Sequence, residues 1–451
     1  MADTKIIVLD DDPTGSQTVH GCLLLTRWDA ATLRQALQDP SPIFFVLTNT
    51  RALGAGQAEA ITREVCGNLK LTLADLAAEG RMIHPLFVSR SDSTLRGHYP
   101  VETDVMTAEL GGFDAHFLTP AFFEGGRITR DSTHYLLVDG KPVPTSETEF
   151  ARDSVFGYST SHLPDYVAEK TRGRIPAAQV ERFLLRDIRA GVADRLMSLK
   201  GNACCVVDAE TQEDMSRFAA DVLLAVARGK RFLFRSAASL LTALARLPPQ
   251  PVAPEGMGRW VRGGHPGAVV MGSHVRKSTR QLQALLREPD AVPVEVDVDR
   301  LLADRPSADR DALLAEVLDR ARRIHARGAT PVIFTSRQER AFSDEVARLA
   351  FGKAVSALLM DVVRDLPRTT GWLISKGGIT SNDTLSQGLA LASARVLGQI
   401  LPGVSVVRCP DDHPGFPGMP VAIFPGNVGG DDALRTAFLR LSRKEARPMA
   451  A

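Results

Sequence analysis

The residues best suited to chemistry stand where short apolar runs give way to polar turns. Ile6-Ile7-Val8-Leu9 ends in Asp10-Asp11-Asp12-Pro13-Thr14-Gly15, and Leu86-Phe87-Val88 ends in Ser89-Arg90-Ser91-Asp92-Ser93-Thr94-Leu95-Arg96-Gly97-His98. Open α/β enzymes place ligand-binding and catalytic groups where buried strands emerge in this way. Pro13 restricts φ and Gly15 permits close approach, so the first turn can hold Asp11 and Asp12 against a ligand. Carboxylates held there accept hydrogen bonds from sugar hydroxyls or act as a general base on one of them. The plainer alternative is an N-cap or Asx turn, although three consecutive aspartates are more charge than capping needs. In the second turn Asp92 is another candidate base or hydroxyl binder, and Arg96 offers a planar donor fork for a substrate carboxylate. Ser91, Ser93 and Thr94 add short polar groups. The alternative there is a solvated loop with a helix cap. Arg127, beside Gly125-Gly126, is a weaker anion-binding candidate.

A second set of turns offers backbone donors. Gly272-Ser273-His274 follows Ala268-Val269-Val270-Met271, and Gly377-Gly378 follows Leu373-Ile374-Ser375-Lys376. Gly426-Asn427-Val428-Gly429-Gly430 follows Val421-Ala422-Ile423-Phe424. Such turns expose N–H groups to a phosphate at a helix start, and Thr279 reinforces the first of them. Glycine also simply ends elements, and the chain holds neither GxxxxGK[ST] nor a GxGxxG opening a βαβ unit. The histidines form no compact metal-ligand spacing, so a structural zinc site is not expected. His98 reads as an ordinary turn histidine.

The elements that position these turns follow from hydrophobic period. Apolar runs recur at Ile6–Leu9, Ile43–Leu47, Leu86–Val88, His116–Leu118, Cys204–Val207 and Arg231–Phe234, with helical spacing between several of them, as from Gln57 to Leu76. This alternation predicts a mainly parallel sheet covered by helices. The segment Thr133 to Pro176 breaks the rhythm, with Val138-Asp139-Gly140-Lys141-Pro142-Val143 readable as a hairpin. The Pro-rich passage from Leu247 to Gly256 reads as an extended connector and no regular element. Residues 1–247 therefore form one domain, 248–262 a linker and 263–451 a second domain. A chain of 451 residues, 44% hydrophobic and 24% charged with a net charge of +1, suits a soluble two-domain protein and offers no nucleic-acid or anionic-membrane surface. Five cysteines without CxxC spacing, and no apolar segment near the roughly 20 residues that span a bilayer, lead to a cytoplasmic expectation.

With these motifs in order, the chain resembles the four-carbon acid sugar kinase family. The resemblance rests on Asp11-Asp12-Pro13-Thr14-Gly15, Asp92-Ser93-Thr94-Leu95-Arg96-Gly97, Gly272-Ser273, Gly377-Gly378-Ile379-Thr380 and Gly426-Asn427-Val428-Gly429-Gly430, and covers nearly the whole chain. It implies an α/β architecture of two three-layer α/β/α domains with mainly parallel sheets and an interdomain cleft. It also implies ATP-dependent phosphorylation of the terminal hydroxyl of threonate, erythronate or an oxo-tetronate, with Mg²⁺ accompanying ATP. The substrate is then held by Asp11, Asp12, Ser91, Asp92, Arg96 and Arg127, with Asp12 first and Asp92 second as the group that accepts or orients the hydroxyl proton. The nucleotide falls to Gly272, Ser273, Thr279, Gly377, Gly378, Thr380, Gly426, Asn427, Gly429 and Gly430, while metal ligands stay unassigned. Ser89-Arg90 replaces a lysine common before the second turn, Ile379 replaces a glutamate, and Phe424-Pro425-Gly426 departs from a lysine-serine-glycine. The expected partner is a small-molecule sugar acid, with no nucleic acid and no membrane; a homo-oligomer stays open. A non-catalytic sugar-acid sensor is the alternative, weakened by the lack of a DNA-binding segment.

Overall fold

A computed structural model describes residues 4–302, 307–337, 342, 345–426 and 428–442. The chain divides into two units, Met1–Pro248 and Pro249–Ala451. In the first, the sheet order is Leu23–Leu25, Ile43–Leu47, Thr4–Asp10, His84–Arg90, Phe232–Ser236, Ala115–Thr119, Ala203–Val207, Glu181–Phe183, and every pairing is parallel. These strands read as unbroken apolar runs because both faces are covered. Ile7, Leu9, Phe44, Val46 and Phe87 pack against Leu33 and Leu37 of helix Ala30–Gln38 and against Val65, Leu69 and Leu76 of helix Ala55–Ala78. On the opposite face, Phe117 stacks on Phe234 at 5.2 Å and meets Phe218 of helix Gln212–Ala227 edge-on at 5.6 Å.

Parallel register decides what comes together at the sheet's C-terminal edge. Asp10 stands opposite both Leu47 and Arg90, and Arg90 opposite Ser236. The turns that leave these strands therefore begin side by side. Asp11 N–H donates to Arg90 O at 3.2 Å, Thr48 N–H to Asp10 O at 2.9 Å, and Ser91 N–H to Ser236 O at 2.9 Å. A small antiparallel sheet, Arg127–Arg130, Thr133–Val138 and Lys141–Pro144, carries Arg127 at its start. Its hairpin turns at Asp139-Gly140, both at positive φ, as the sequence suggests.

In the second unit the order is Ala291–Val296, Thr330–Thr335, Ala268–Met271, Leu373–Lys376, Pro420–Phe424, Val404–Arg408, Ser393–Leu401. The first five are parallel; Val404–Arg408 runs antiparallel to both its neighbours. Val269, Ile374 and Ala422 face helices Arg276–Leu285 and Ala433–Ser442 through Leu282, Leu285, Leu434 and Phe438. Helix Ser307–Ala326 packs on Ala291–Val296 and Thr330–Thr335. Two three-layer α/β/α units with mainly parallel sheets are thus present. No helix among the described residues is long and apolar enough to cross a membrane.

The Pro-rich passage differs from the extended connector expected of it. Pro254–Trp260 forms a 3₁₀ helix whose Met257 is fully buried in the second unit's core, beside Val252. Gln250 also brackets the Ser393–Leu401 strand, donating to Gln399 O at 3.0 Å and accepting from its N–H at 2.6 Å. Burial of Val252 and Met257 offsets the entropy of ordering this tract, a contribution that proline content alone conceals. Met257→Ala should therefore destabilise the protein by about 2–5 kcal/mol in urea unfolding. A change near zero would return the tract to the status of a linker.

Candidate active site

Arg51 is the centre of the site in the first unit. It sits in the 3₁₀ turn Thr50–Ala52, which follows strand Ile43–Leu47 and opens at Asn49 in the left-handed region, φ 52°. Its guanidinium reaches carboxylates from two other turns. Nε donates to Asp11 Oδ2 at 3.1 Å and Nη2 to Asp11 Oδ1, while Nη1 lies 3.5 Å from Asp12 Oδ2 and 3.8 Å from Asp92 Oδ1. Ser91 Oγ adds a bond to Asp11 Oδ2 at 3.1 Å. Asp12 Oδ1 accepts from the backbone N–H of Thr14 at 2.8 Å and from its hydroxyl, the Asx geometry of the plainer reading. Burial works to raise the Asp12 pKa, but Arg51, Arg90 and the Thr14 bonds overcome it and hold the carboxyl below its ordinary range. Asp92 is likewise held low: burial opposes ionisation, and Arg51 and Arg96 outweigh it, helped by the Thr94 hydroxyl.

The Ser91–Gly97 turn is fixed from several sides. Arg96 Nε donates to Asp92 Oδ2 at 2.8 Å, its Nη1 lies 3.5 Å from Asp153 Oδ2, and its guanidinium lies over the Phe150 ring at 5.0 Å. Tyr158 and Tyr166 donate to the carbonyls of Thr94 and Leu95 at 2.8 and 2.7 Å, holding Leu95 at φ 68°. His134, fully buried, donates from Nε2 to Ser93 O at 2.8 Å, and burial lowers its pKa to about 4, so it is neutral. His98 performs the same service for the neighbouring turn: its Nε2 lies 3.1 Å from Thr50 O and 2.9 Å from Leu53 O, on either side of Arg51. Because carbonyls only accept, Nε2 of each imidazole carries a proton.

Beneath these groups lie two buried acids. Asp10 has 0% side-chain exposure, Oδ2 without a hydrogen-bond partner, and Arg90 Nη1 at 3.4 Å from Oδ1. A Cβ on Gly15 would stand 1.9 Å from Asp10 Oδ2, so the Pro13-Thr14-Gly15 turn closes over this carboxyl only with glycine there. Burial raises the Asp10 pKa to about 8, with Asp11 and Asp12 adding to the rise against Arg90 and Arg51. Glu102, which accepts from Thr50 Oγ1 at 2.5 Å, is raised to about 7, by burial first and then by Asp11. Arg127 also belongs here. Its Nε is buried without a partner, its Nη1 donates to Gly125 O, and no carboxylate stands within 4 Å of it among the described residues. Burial lowers its pKa, and the charges of Asp92, Arg96 and, least, Glu149 act on it from beyond ion-pair distance.

In the second unit the three glycine turns leave adjacent strands, since Met271 stands opposite Lys376 and Lys376 opposite Phe424. A Cβ on Gly272 would lie 2.3 Å from Thr380 Oγ1, and one on Gly377, at φ 122°, 3.3 Å from Ser273 Cβ. Gly378 starts helix Gly378–Asp383, which carries Thr380 back onto Gly272. Ser278 donates to Gly426 O at 3.0 Å and bonds the Ser273 hydroxyl at 3.0 Å. The Thr279 hydroxyl instead donates to Val275 O of its own helix at 3.4 Å. Gln281 Nε2 holds the carbonyls of Val428 and Gly430 at 2.9 Å each, and Gly429 faces Ala433. Asn427 lies outside the described residues.

Gly272, Ser273, Gly377, Thr380 and Gly426 thus meet, as do Asp11, Asp12, Ser91, Asp92 and Arg96. Sequence reasoning missed Arg51, Asp10 as a buried acid, Glu102 and Lys376. The signal for Arg51 was present: Ile43–Leu47 is a buried strand followed by Thr48-Asn49-Thr50-Arg51, the grammar that marked the other two turns.

A family model described as a sugar-binding N-terminal domain matches residues 6–244, and one described as a nucleotide-binding C-terminal domain matches residues 268–434. The chain is similar to a D-erythronate kinase of Heliobacterium modesticaldum, 25% identical over 452 residues that cover 96% of each chain. It is also similar to a D-threonate kinase of Bordetella bronchiseptica, 30% identical over 172 residues, 36% of this chain and 39% of that one. A Salmonella typhimurium LT2 structure, described as a putative tRNA synthase, superposes with TM-score 0.70 at 17% identity, covering 98% of this chain and 99% of the other. A Haemophilus influenzae protein does so with TM-score 0.62 at 17% identity over 96% and 98%. At such identities these two structures establish the fold alone.

The buried Asp10 carries a stability signature. The unfolded chain releases its proton near the ordinary carboxylate value, whereas the folded protein keeps it up to about pH 8. The contribution is complete below the unfolded pKa and is lost as pH rises through the folded one, so the part of wild-type stability that Asp10 supplies declines between about pH 4 and about pH 8. Asp10→Asn, neutral throughout, lacks that decline. The difference between the two proteins should shift by a few kcal/mol across the range, at most about 1.4 kcal/mol per pH unit. Urea unfolding across this range checks it, and parallel profiles would mean that Asp10 is ionised in the fold.

Proposed function

The chain belongs to the four-carbon acid sugar kinase family, and we propose that it transfers the γ-phosphoryl group of ATP to the terminal hydroxyl of a four-carbon sugar acid: threonate, erythronate or an oxo-tetronate. The observation that carries this reading is a carboxylate cluster held by Arg51, with Arg127 beside it lacking a carboxylate partner. Hydroxyl-rich substrates are bound by fixed carboxylates and short hydroxyls, and an acid needs one uncommitted cation. Arg127 meets that need better than Arg96. The Arg96 fork is engaged by Asp92 and Asp153, so its first role is to hold Asp92, and it is the second candidate for the substrate carboxylate.

Among the clustered aspartates, Asp12 has 22% side-chain exposure against 2% for Asp11 and 14% for Asp92. It is therefore the carboxylate best placed to orient the terminal hydroxyl and receive its proton as the oxygen attacks phosphorus. A carboxyl held below its ordinary pKa is a weak base, but phosphoryl transfer rests mainly on positioning and charge, so orientation is the larger contribution. The nucleotide is assigned to the turns around Gly272, Gly377 and Gly426, where the absence of side chains leaves backbone open to phosphate. No group of three or more acidic, histidine or cysteine side chains among the described residues is arranged to hold a metal ion. Arg51 already occupies Asp11, Asp12 and Asp92. Mg²⁺ is accordingly assigned to the nucleotide it arrives with, and no step is derived through it.

The test is incubation with MgATP and each four-carbon aldonate and oxo-aldonate, with the product phosphate located by NMR. Phosphate on the terminal carbon is expected. Sugar-acid binding without phosphorylated product would favour the sensor reading, and the absence of both binding and product would refute the assignment. Arg127→Ala should weaken sugar-acid binding by about 100-fold, as for a charge-assisted pair at roughly 1.4 kcal/mol per tenfold, and leave nucleotide affinity unchanged. A larger loss in Arg96→Ala than in Arg127→Ala, by calorimetry on folded proteins, would reverse the two roles.

A further inference from the structure

Lys376 ends the central strand Leu373–Lys376 and is 0% exposed, a rare condition for lysine. Its Nζ donates to the carbonyls of Pro425 and Gly426, at 2.5 and 3.1 Å, and lies 4.4 Å from the centre of the Phe424 ring. No carboxylate stands within 4 Å of it among the described residues. The charged group that acts on it is Lys277, of like sign, on helix Arg276–Leu285; its other neighbours, the Phe424 ring and the Pro425 and Gly426 carbonyls, are neutral. A buried amine without a counter-ion is costly unless something compensates it.

Its partners indicate what it does. In a planar trans peptide the C=O and N–H point in opposite directions, so a Pro425 carbonyl turned inward to Lys376 aims the Gly426 N–H outward. Gly426 lies against Ser273, whose Oγ would be 3.4 Å from a Cβ on Gly426, and Ser273 in turn abuts Gly377. The Gly426 carbonyl is held a second time, by Ser278.

We propose that Lys376 is a positioning residue of the nucleotide site, which turns the Pro425–Gly426 peptide so that its N–H meets the polyphosphate and whose charge answers the phosphate's. The inference rests on the nucleotide reading given above. In the free protein, burial first and then Lys277 lower its pKa to about 7, so the amine is partly neutral near pH 7. A polyphosphate nearby favours the charged form, and the amine takes the missing proton from buffer. Nucleotide binding by the wild type then takes up about half a proton per site near pH 7, more as pH rises above it and none well below it, beyond whatever the nucleotide itself exchanges.

The experiment is calorimetric titration of the full chain with the magnesium complex of a non-hydrolysable ATP analogue, in two buffers of different ionisation enthalpy, for wild type, Lys376→Met and Lys376→Arg. Wild type should take up more protons than either variant. Lys376→Arg, permanently charged, should keep its affinity within about tenfold with no added uptake, whereas Lys376→Met should bind at least tenfold more weakly. Equal proton counts in wild type and Lys376→Arg would overturn the inference even if Lys376→Met fails to fold, because a purely structural lysine leaves that count unmoved. Wild-type protein that does not bind the analogue would instead refute the nucleotide reading itself, and this inference with it.

Discussion

One guanidinium holding three carboxylates from two turns is the interaction on which the first unit's site depends. Asp11, Asp12 and Asp92 repel one another, and burying them is expensive unless a cation is shared among them in good geometry. Arg51 supplies that cation from a third strand end. The surrounding structure serves this arrangement. Parallel register aligns the three strand ends, Asn49 turns the chain in the left-handed region, and His98 secures the carbonyls on either side of Arg51. His134, Tyr158 and Tyr166 do the same for the turn that brings Asp92.

Protonation then sets the sign of the site. Burial raises Asp10 to about 8 and Glu102 to about 7, whereas Asp12 and Asp92 are held below the ordinary carboxylate range and carry fixed negative charge near neutral pH. Arg51, Arg90, Arg96 and Arg127 stand among them. The proposed sugar acid would therefore meet four guanidinium groups in a place whose sequence is conspicuously acidic. The second unit meets its ligand differently. Its turns offer glycine backbone, and behind them stand the buried amine of Lys376 and the Arg337 guanidinium, which donates to Ser273 O at 2.8 Å, an arrangement suited to polyphosphate.

Much of this was legible in the sequence. Buried parallel strands announce themselves as apolar runs, and the polar turns after Leu9 and Val88 named Asp11, Asp12, Asp92 and Arg96 in advance. What stayed hidden depended on register or burial. Arg51 is a lone basic residue after a strand, and only the pairing of Ile43–Leu47 with Thr4–Asp10 shows that it faces three acids. Asp10 and Lys376 look like ordinary polar strand ends until the structure shows both fully enclosed. The antiparallel pair Ser393–Leu401 and Val404–Arg408 escaped because register shifts around Gly398 blur its alternation. Ser278 and Thr279 could not be told apart without the helix phase that turns one to Gly426 and the other to its own backbone.

If Arg51 organises the carboxylates for phosphoryl transfer, single-turnover transfer in folded Arg51→Lys at saturating ATP and sugar acid is the measurement that shows it. Lysine keeps the charge but, as a point donor, cannot bridge three carboxylates as the planar fork does. The expected chemical rate is lower by about 100-fold or more, as for loss of a few kcal/mol of positioning, with nucleotide affinity unchanged. A near-native rate in Arg51→Lys would contradict it.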